Sequence, residues 1–318
     1  MKLSFVVPIF NEAESLPEFF ERLYDVIASE KYQYEIIAVD DGSRDATFKV
    51  LTEHAERDPH LRVIRFERNA GQTAALRAGI DHARGDVIIP LDSDLENDPT
   101  DVPRLIAKLG EGFDVVSGWR QNRWNGKYLS RKLPSDTANA LISWITGTSL
   151  HDYGCTLKAY RREVIQGVVL YGEMHRFIPA YASWYGARVT EIPVHYTDRK
   201  FGKSNYGISR TFRVLLDLLM IKFFEKYRDR PIHFFGAFGF LFLFLGGLAL
   251  VLALSFRFFI GISLIQTPLP TLAGLLASMG VNFILIGVVA EMLVRQKYEE
   301  GEVVPYRIRE SLNLVHKK

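Results

Sequence analysis

Hydrophobic and polar positions along the N-terminal part of the chain form two patterns, one typical of strands and one typical of helices. Four short apolar runs have the length and composition of buried strands, at residues 3–9, 34–39, 63–66 and 87–91. Apolar side chains recur at helical spacing in the gaps before the second and the fourth run, at residues 16–27 and 74–83. Because strands that alternate with helices form βαβ units, this pattern predicts an α/β domain with a mainly parallel, Rossmann-like sheet.

The pattern changes after about residue 206. Residues 208–227 interleave apolar side chains with arginine and lysine, which predicts a basic amphipathic helix in the headgroup region of a membrane; a helix of the protein core is the alternative. Residues 234–256 and 269–294 are almost wholly apolar, and each run exceeds the length of about 20 residues that spans a bilayer. The sequence therefore predicts two transmembrane helices.

These shifts in composition divide the chain into four parts. A catalytic-sized domain is expected over residues 1–206, a juxtamembrane amphipathic helix over 207–230, two transmembrane helices over 231–296, and a C-terminal tail over 297–318. Basic residues cluster before the first span and after the second, whereas Arg257 lies near the edge of the loop between them. By the positive-inside rule we expect the N-terminal domain and both termini to be cytoplasmic.

Charge and cysteine content narrow the class of protein further. The formal net charge is only +2, so the overall balance gives no reason to expect a nucleic-acid partner. Cys155 is the single cysteine, which excludes an intramolecular disulfide framework and fits a reducing compartment. Nothing in the sequence decides the oligomeric state, and a homo-oligomer is compatible with it.

Carboxylates follow two of the predicted strands directly. Asp92 and Asp94 come after the fourth strand, with Glu96 close behind, and Asp40 and Asp41 come after the second. The carboxyl ends of parallel strands meet at one edge of a sheet, where ligands of such domains bind. Carboxylates so placed can share a hard cation such as Mg²⁺ or Mn²⁺ with the phosphates of a substrate. An isolated D-x-D also occurs in solvated turns, but here the preceding strand and the second pair favour a binding site.

Several segments occur in an order that resembles the motif series of family-2 glycosyltransferases with the GT-A fold. They are residues 6–12 (VVPIFNE), 39–43 (VDDGS), 92–99 (DSDLENDP) and 154–163 (GCTLKAYRRE). Residues 199–206 (RKFGKSNY) are similar to the element before the membrane segments in the branch of dolichol-phosphate mannosyltransferases and bactoprenol glucosyltransferases. The arrangement of two spans resembles the bactoprenol glucosyltransferases in particular.

The resemblance implies an enzyme of the inner (plasma) membrane that transfers a sugar, with inversion, from a sugar nucleotide to undecaprenyl or another polyprenyl phosphate at the cytoplasmic membrane face. Glucose from UDP-glucose is the first expectation, and a UDP-amino sugar or mannose from GDP-mannose are the alternatives. A non-catalytic nucleotide-binding membrane scaffold is disfavoured by the intact acidic clusters. A processive polysaccharide synthase is disfavoured because residues 121–124 (QNRW) fall one short of its Gln-x-x-Arg-Trp motif.

The resemblance also assigns roles on the donor side. The nucleotide would be held by residues of the first motifs and by the position after the third strand, where glutamine replaces the usual lysine: Pro8, Phe10, Glu12, Asp40, Asp41, Gln72 and Asp92. Asp92, Asp94 and Glu96 would hold the Mg²⁺ or Mn²⁺ on the diphosphate. Asp94 and Asp152 are the expected catalytic residues, with Asp152 acting either as the base or as a group that orients the sugar.

The acceptor phosphate is expected to meet basic and hydroxyl side chains beside apolar surface. The candidates are Arg120, Arg131, Lys132, Ser135, Arg199 and Lys203. Arginine binds phosphate through two parallel hydrogen bonds. The stretch continues through Leu141, Ile142, Trp144 and Ile145, which offer a surface for a prenyl chain. A phosphate monoester has a second pKa of about 6, so the acceptor is already ionised near neutrality and needs no strong base.

Overall fold

The computed structural model describes residues 1–121, 123, 133–166, 168, 174–197, 223, 227, 230–300 and 308–312. The chain forms two compact units, one comprising Met1–Leu218 with Val304–Lys318, and the other comprising Leu219–Val303. The first unit is an α/β domain and the second contains two long apolar helices.

The strands described in the first unit form one mixed sheet of eight, in the order β7-β5-β6-β4-β1-β2-β3-β8. Their bounds are β1 (Lys2–Ile9), β2 (Gln33–Asp40), β3 (Leu61–Phe66), β4 (Val87–Pro90), β5 (Val115–Trp119), β6 (Lys158–Arg161), β7 (Val189–Pro193) and β8 (Ile308–Leu312). Strands β4, β1, β2 and β3 run parallel, as do β5 and β7, whereas β6 and β8 are antiparallel to their neighbours. The predicted mainly parallel α/β fold is confirmed.

Helices connect these strands and cover the sheet. They are α1 (Leu16–Glu30), α2 (Thr47–Arg57), α3 (Gln72–His82), α4 (Val102–Gly110), α5 (Leu133–Thr146), α6 (Arg162–Ile165) and α7 (Ile178–Trp184). Helix α1 shows why the periodicity is informative: Leu16, Phe19, Phe20 and Leu23 are fully buried against the sheet, and its C-cap Lys31 adopts a left-handed conformation that ends the helix. The four predicted strands and two predicted helices of this region are all present, with ends displaced by at most about three residues.

The register of the central strands brings the motifs to one edge. Ile9 is paired with Asp40 across β1 and β2, and Val6 is paired with Pro90 across β1 and β4. The segments that follow these three strands therefore start side by side. This edge of the sheet carries the residues predicted to bind the donor.

The second unit is a pair of long helices, α8 (Ile232–Ser255) and α9 (Leu269–Glu300). Both are long and apolar enough to cross a membrane, as the sequence predicted. They pack antiparallel through glycines, since a Cβ on Gly280 would lie 2.7 Å from the Gly239 carbonyl oxygen. The amphipathic helix predicted over residues 208–227 lies outside the described residues except for Phe223 and Tyr227.

Strand β8 was not predicted. Residues 308–312 lie in the stretch expected to be a tail, yet they pair antiparallel with β3 and extend the sheet at its edge. Val63 is opposite Leu312 and Arg65 is opposite Glu310. The chain on both sides of the helical pair therefore contributes to the α/β unit.

Candidate active site

The acidic pair Asp92 and Asp94 follows β4 at the edge of the sheet. Asp92 accepts hydrogen bonds from the Gln72 amide, at 2.9 Å, and from the side chain of Thr156. Desolvation and, next, the charge of Asp94 raise the pKa of Asp92 to about 7. A tight turn presents the pair, because Asp94 accepts from the Glu96 backbone N–H at 3.0 Å and Leu95 adopts a left-handed φ of 63°.

Two neighbouring carboxylates with this mutual repulsion fit a divalent cation, whose charge would offset theirs. The third predicted ligand is oriented differently, since the Glu96 carboxylate lies 3.7 Å from the Arg120 guanidinium. Among the described residues, no three His, Cys, Asp or Glu side chains are grouped closely enough to bind a metal together. Asp92 and Asp94 are therefore the carboxylates at this edge that we expect to bind a metal, with phosphate oxygens of a donor in the remaining positions, and Glu96 stays a sequence-based expectation.

The second acidic pair, Asp40 and Asp41, accepts hydrogen bonds from backbone N–H groups of nearby loops. Asp40 is fully buried, accepts from the Ser43 N–H at 2.8 Å and lies 3.4 Å from Nε of Arg65. Asp41 accepts from the backbone N–H groups of Ala70 and Gly71, at 2.6 and 2.9 Å. Desolvation raises the pKa of Asp41, although these two hydrogen bonds oppose the shift. Both carboxylates thus hold in place the loops that border the predicted nucleotide site.

The motif at residues 6–12 contains three predicted nucleotide contacts, which differ in how exposed they are. Phe10 is 42% exposed just beyond β1, where an aromatic ring can stack on a base. Glu12 lies in the turn before α1, and its carboxylate accepts from the Ser15 hydroxyl at 2.8 Å. Pro8 is part of β1, in register with Val39. Of these three predicted nucleotide contacts, Phe10 is the most exposed.

Gln72 occupies the position at which the family resemblance leads us to expect a lysine. It is the first residue of α3, and its side-chain amide donates to Asp92 rather than reaching into solvent. A lysine here would place a positive charge on the acidic pair, whereas the amide supplies a neutral hydrogen bond. The N-terminal end of α3 remains open, since a Cβ built on Gly71 meets nothing within 4 Å.

Asp152 and Arg120 form a buried ion pair beside this edge. The guanidinium donates to both carboxylate oxygens, through Nε at 2.7 Å and through a terminal nitrogen at 3.0 Å. Desolvation alone would raise the pKa of Asp152, but the charge and hydrogen bonds of Arg120 hold it below its usual value. The lowered pKa makes Asp152 a weaker base than an ordinary carboxylate, and the Arg120 guanidinium, predicted to bind the acceptor phosphate, contacts this carboxylate in the structure.

Sequence reasoning missed the group that holds the loop after Asp152. Lys158 on β6 is buried, and its ammonium donates to the backbone carbonyls of Tyr153, at 3.3 Å, and of Cys155. Thr156 on the same loop binds Asp92, and the Cys155 thiol lies 3.5 Å from the side-chain oxygen of Asn97. Lys158 therefore fixes the backbone of the loop after Asp152, and Thr156 on that loop contacts the acidic pair. The lysine in residues 154–163 was visible in the sequence, but nothing local indicated its burial.

A cavity of about 580 Å³ opens beside the ion pair. It is lined by the end of β5, the inner face of α5 and the loop before Asp152: Trp119, Arg120, Gln121, Arg123, Ser135, Asp136, Asn139, Ala140, Ser143, Ser149, Leu150, His151 and Asp152. Trp119 stacks on His151 with ring centres 4.3 Å apart, and His151 is also paired with Glu191. The flat aromatic wall and polar floor suit a sugar or a phosphorylated headgroup.

The other residues predicted to bind the acceptor divide into two groups. Ser135 lines the cavity, together with Arg120 and Asp152. Arg131, Lys132, Arg199 and Lys203 lie outside the described residues. The structure thus brings Ser135, Arg120 and Asp152 together and leaves those four basic residues as sequence-based expectations.

Comparison with known proteins agrees with this geometry. The sequence model described as glycosyl transferase family 2 matches residues 4–168. A dodecaprenyl-phosphate galacturonate synthase of Rhizobium johnstonii is 44% identical over 317 residues, which are 98% of this chain and 93% of that protein. An undecaprenyl-phosphate 4-deoxy-4-formamido-L-arabinose transferase of Salmonella choleraesuis is 44% identical over 219 residues, 69% of this chain and 66% of that protein.

Solved structures support the same fold. A glucosyl-3-phosphoglycerate synthase from Mycobacterium tuberculosis, crystallised with Mn²⁺, uridine diphosphate and phosphoglyceric acid, has a TM-score of 0.52 at 19% identity. The similarity covers 70% of this chain and 78% of that one. The predicted GT-A fold and family are thereby confirmed, and the chain belongs to glycosyl transferase family 2.

Proposed function

We propose that this enzyme transfers a sugar from a sugar nucleotide to a polyprenyl phosphate at the surface of a membrane. The observation that carries the proposal is the 44% identity to a dodecaprenyl-phosphate galacturonate synthase over 98% of the chain. That similarity includes both apolar helices as well as the α/β unit. A membrane protein with a donor site of this kind suits an acceptor that is itself a lipid.

The donor is expected to bind along the edge that carries the acidic pair. Phe10 would contact the base, while Asp40 and Asp41 hold the loops around the nucleoside. Asp92 and Asp94 would hold Mg²⁺ or Mn²⁺, whose charge would stabilise the departing nucleoside diphosphate. Uridine diphosphate and Mn²⁺ in a distant GT-A neighbour are compatible with this assignment.

The acceptor phosphate would attack the anomeric carbon from the side of the large cavity, with inversion of configuration. Because a phosphate monoester is mostly ionised at neutral pH, the attack needs little help from a base. Asp152, ion-paired with Arg120, is better suited to orient groups around the cavity than to remove a proton. Ser135 lines the cavity, and Arg131, Lys132, Arg199 and Lys203 remain proposed phosphate contacts.

The sugar itself is ranked by similarity. Galacturonate comes first because the relative that spans nearly the whole chain is named for it. A 4-formamido- or 4-amino-arabinose comes second, on the strength of the shorter match. Glucose from UDP-glucose, the first expectation from the sequence, and mannose from GDP-mannose rank below these because neither is named in the two relatives.

The decisive experiment offers the enzyme a panel of donors. Membranes that contain the protein would be incubated with radiolabelled sugar nucleotides, and label would be followed into lipid that extracts into organic solvent. We expect label from a galacturonate nucleotide, and none with the Asp94→Asn variant, which serves as the control. If no donor labels lipid although the protein binds nucleotide, the scaffold alternative would replace this proposal.

A further inference from the structure

The imidazole ring of His151 is exposed at the large cavity, yet its orientation is fixed. His151 lines the cavity next to Asp152, and 62% of its side chain is accessible. Trp119 lies against one face of the ring, with ring centres 4.3 Å and ring planes 19° apart. The Glu191 carboxylate contacts Nδ1 and also accepts from the His151 backbone N–H at 2.8 Å, while Asn139 donates to the His151 carbonyl at 2.7 Å. A side chain that is both accessible and held in this way is pre-organised to bind a ligand.

These contacts decide which ring nitrogen faces a ligand. An ionised carboxylate only accepts hydrogen bonds, so Nδ1 is the nitrogen that carries a hydrogen toward Glu191. Nε2 is the remaining polar atom of the ring. It accepts from a hydroxyl when the imidazole is neutral, and it donates to an anion when the ring is protonated.

The position of His151 fits the far end of a donor sugar. Strand β5 ends at Trp119 and β4 ends at Pro90, shortly before Asp92, with β6 between these two strands. Both are antiparallel to β6, so their carboxyl ends lie at the same edge, two strand spacings or about 10 Å apart. A phosphate and the hexose attached to it together span a distance of this order. A sugar whose diphosphate is bound at Asp92 and Asp94 can therefore reach His151 with its C4 to C6 side.

A uronate carries a carboxylate at C6, where a neutral hexose carries a hydroxymethyl group, and its recognition needs a group that responds to charge. Arg120 lines the same cavity, but its guanidinium is bound to both carboxylate oxygens of Asp152. The hydroxyl and amide side chains of α5 bind neutral and anionic oxygens alike. The imidazole of His151 differs from them, because a ligand carboxylate favours the protonated ring, in which Nε2–H donates.

We propose that His151 binds the C6 carboxylate of a uronic acid donor and thereby sets a preference for uronates over neutral hexoses. The proposal rests on the proposed function and on the sugar ranked first there. Glu191 and Trp119 hold the ring in the orientation that this contact requires. Selectivity for the sugar then lies in the loop before Asp152 rather than in the acidic pair at the diphosphate.

The test compares two donors that differ at C6 alone, UDP-galacturonate and UDP-galactose, with the purified full-length protein in detergent. Titration calorimetry in Mn²⁺ gives the Kd of each nucleotide, and we expect the wild type to bind UDP-galacturonate more tightly. His151→Ala should weaken that binding about tenfold or more, because a hydrogen bond to a charged group is lost. Its Kd for UDP-galactose should stay at the wild-type value. His151→Gln, which keeps a polar side chain but cannot become charged, should also lose the preference.

A matched control is His60→Ala. His60 is another exposed histidine whose Nδ1 lies close to a carboxylate, 3.0 Å from Asp58, and its ring centre lies 4.9 Å from that of Tyr34. It directly precedes β3, at the edge of the sheet opposite the acidic pair. Both Kd values should therefore be those of the wild type in this variant.

The proposal is overturned if the wild type does not prefer UDP-galacturonate, or if the His151 variants weaken both nucleotides equally, which would indicate a structural role for the ring. It is also overturned if the variants leave both Kd values unchanged and raise KM for polyprenyl phosphate, which would place the acceptor phosphate at His151. Failure of the proposed function is distinguishable, because the wild type would then transfer no sugar to lipid from any nucleotide, whatever the Kd values.

Discussion

At the scale of single residues, the adjacent charged groups shift the pKa values of two aspartates in opposite directions. Asp92 lies beside Asp94, and its pKa is raised to about 7. Asp152 lies against Arg120, and its pKa is lowered despite burial. The first arrangement favours a bound cation, whereas the second favours the ionised form of the carboxyl group. The two aspartates are therefore suited to metal binding and to positioning, respectively.

We expect the acidic pair to make donor binding dependent on a metal. Asp94→Asn removes one of the two offered carboxylates, so we expect sugar transfer to be lost and nucleoside diphosphate to bind more weakly in Mg²⁺ or Mn²⁺. Titration calorimetry with and without metal would measure the change, and an unchanged thermal midpoint would show that the fold is intact. Full activity of the wild type in EDTA would contradict this prediction.

From the ion pair between Asp152 and Arg120 we predict how activity depends on pH. Because the pKa of Asp152 is lowered, this carboxylate stays ionised below pH 6, where the acceptor phosphate takes up a proton with a pKa of about 6. We expect kcat to decline as pH falls through that value, and Asp152→Asn to lower kcat without removing the inflection. Profiles of kcat against pH for both proteins would decide the matter. Disappearance of the inflection in the variant would identify Asp152 as the base.

At the scale of elements, a buried carboxylate joins three strands at the sheet edge opposite the site. Glu35 on β2 accepts from the Ser4 hydroxyl on β1 at 2.5 Å and from the Arg62 guanidinium on β3 at 2.6 Å. It also accepts from the backbone N–H groups of Arg84 and Gly85 before β4. Burial would raise the pKa of Glu35, but these hydrogen bonds and positive charges together lower it.

Replacing this carboxylate should be costly. Glu35→Gln leaves Arg62 buried without its charged partner, for which we expect a loss of about 3 kcal/mol in the free energy of unfolding. The exposed pair Lys49–Glu53, 4.0 Å apart, provides the control, because Glu53→Gln should cost almost nothing. Chemical unfolding in detergent would measure both, and equal midpoints for the two variants would refute the role of Glu35.

The same residue gives the sign of a dependence on pH. A carboxylate with a lowered pKa stabilises the fold above its unfolded pKa of about 4.3, and this contribution is lost as pH falls through the folded value. The difference in stability between wild type and Glu35→Gln should therefore shrink below about pH 4.

The helical pair depends on glycines at its contact face. A side chain at Gly280 would meet the Gly239 carbonyl and Leu243 at 2.7 Å, so Gly280→Leu should force α8 and α9 apart. Gly274 is on the same helix but faces open space, which makes Gly274→Leu a matched control. Proteolysis of the hairpin in detergent should be faster in the first variant alone. Equal resistance of both would show that close contact is dispensable.

At the scale of the whole molecule, the chain leaves the α/β unit, forms the helical pair and returns as β8. Since residues before α8 and after α9 belong to one unit, two crossings of a membrane put both flanks on one side. A reporter fused after Lys318 should therefore read like one at the N-terminus; by the positive-inside rule we expect both to be cytoplasmic and a reporter near Ile265 to be external. The opposite readings would separate the enzyme from cytoplasmic sugar nucleotides and would refute the topology.

Local patterns in the sequence were enough to predict four of the described strands, several helices and the edge of the sheet at which the acidic residues lie. Short apolar runs and helical spacings are local signals, and parallel strands place their carboxyl ends together, so the order of residues alone assigns Asp40, Asp92 and Asp94 to one edge. The two long apolar helices were equally readable, because a bilayer demands a length that few core helices reach.

The contact partner of each polar group depends on how distant segments pack together. Arg120 and Asp152 are 32 positions apart, so their pairing depends on how β5 and the loop before β6 come together, and no local pattern records it. The burial of Lys158 and the return of β8 are equally non-local, because the first depends on surrounding loops and the second on the open hydrogen-bonding edge of β3. Contacts between distant segments follow from packing, which periodicity along the chain does not encode.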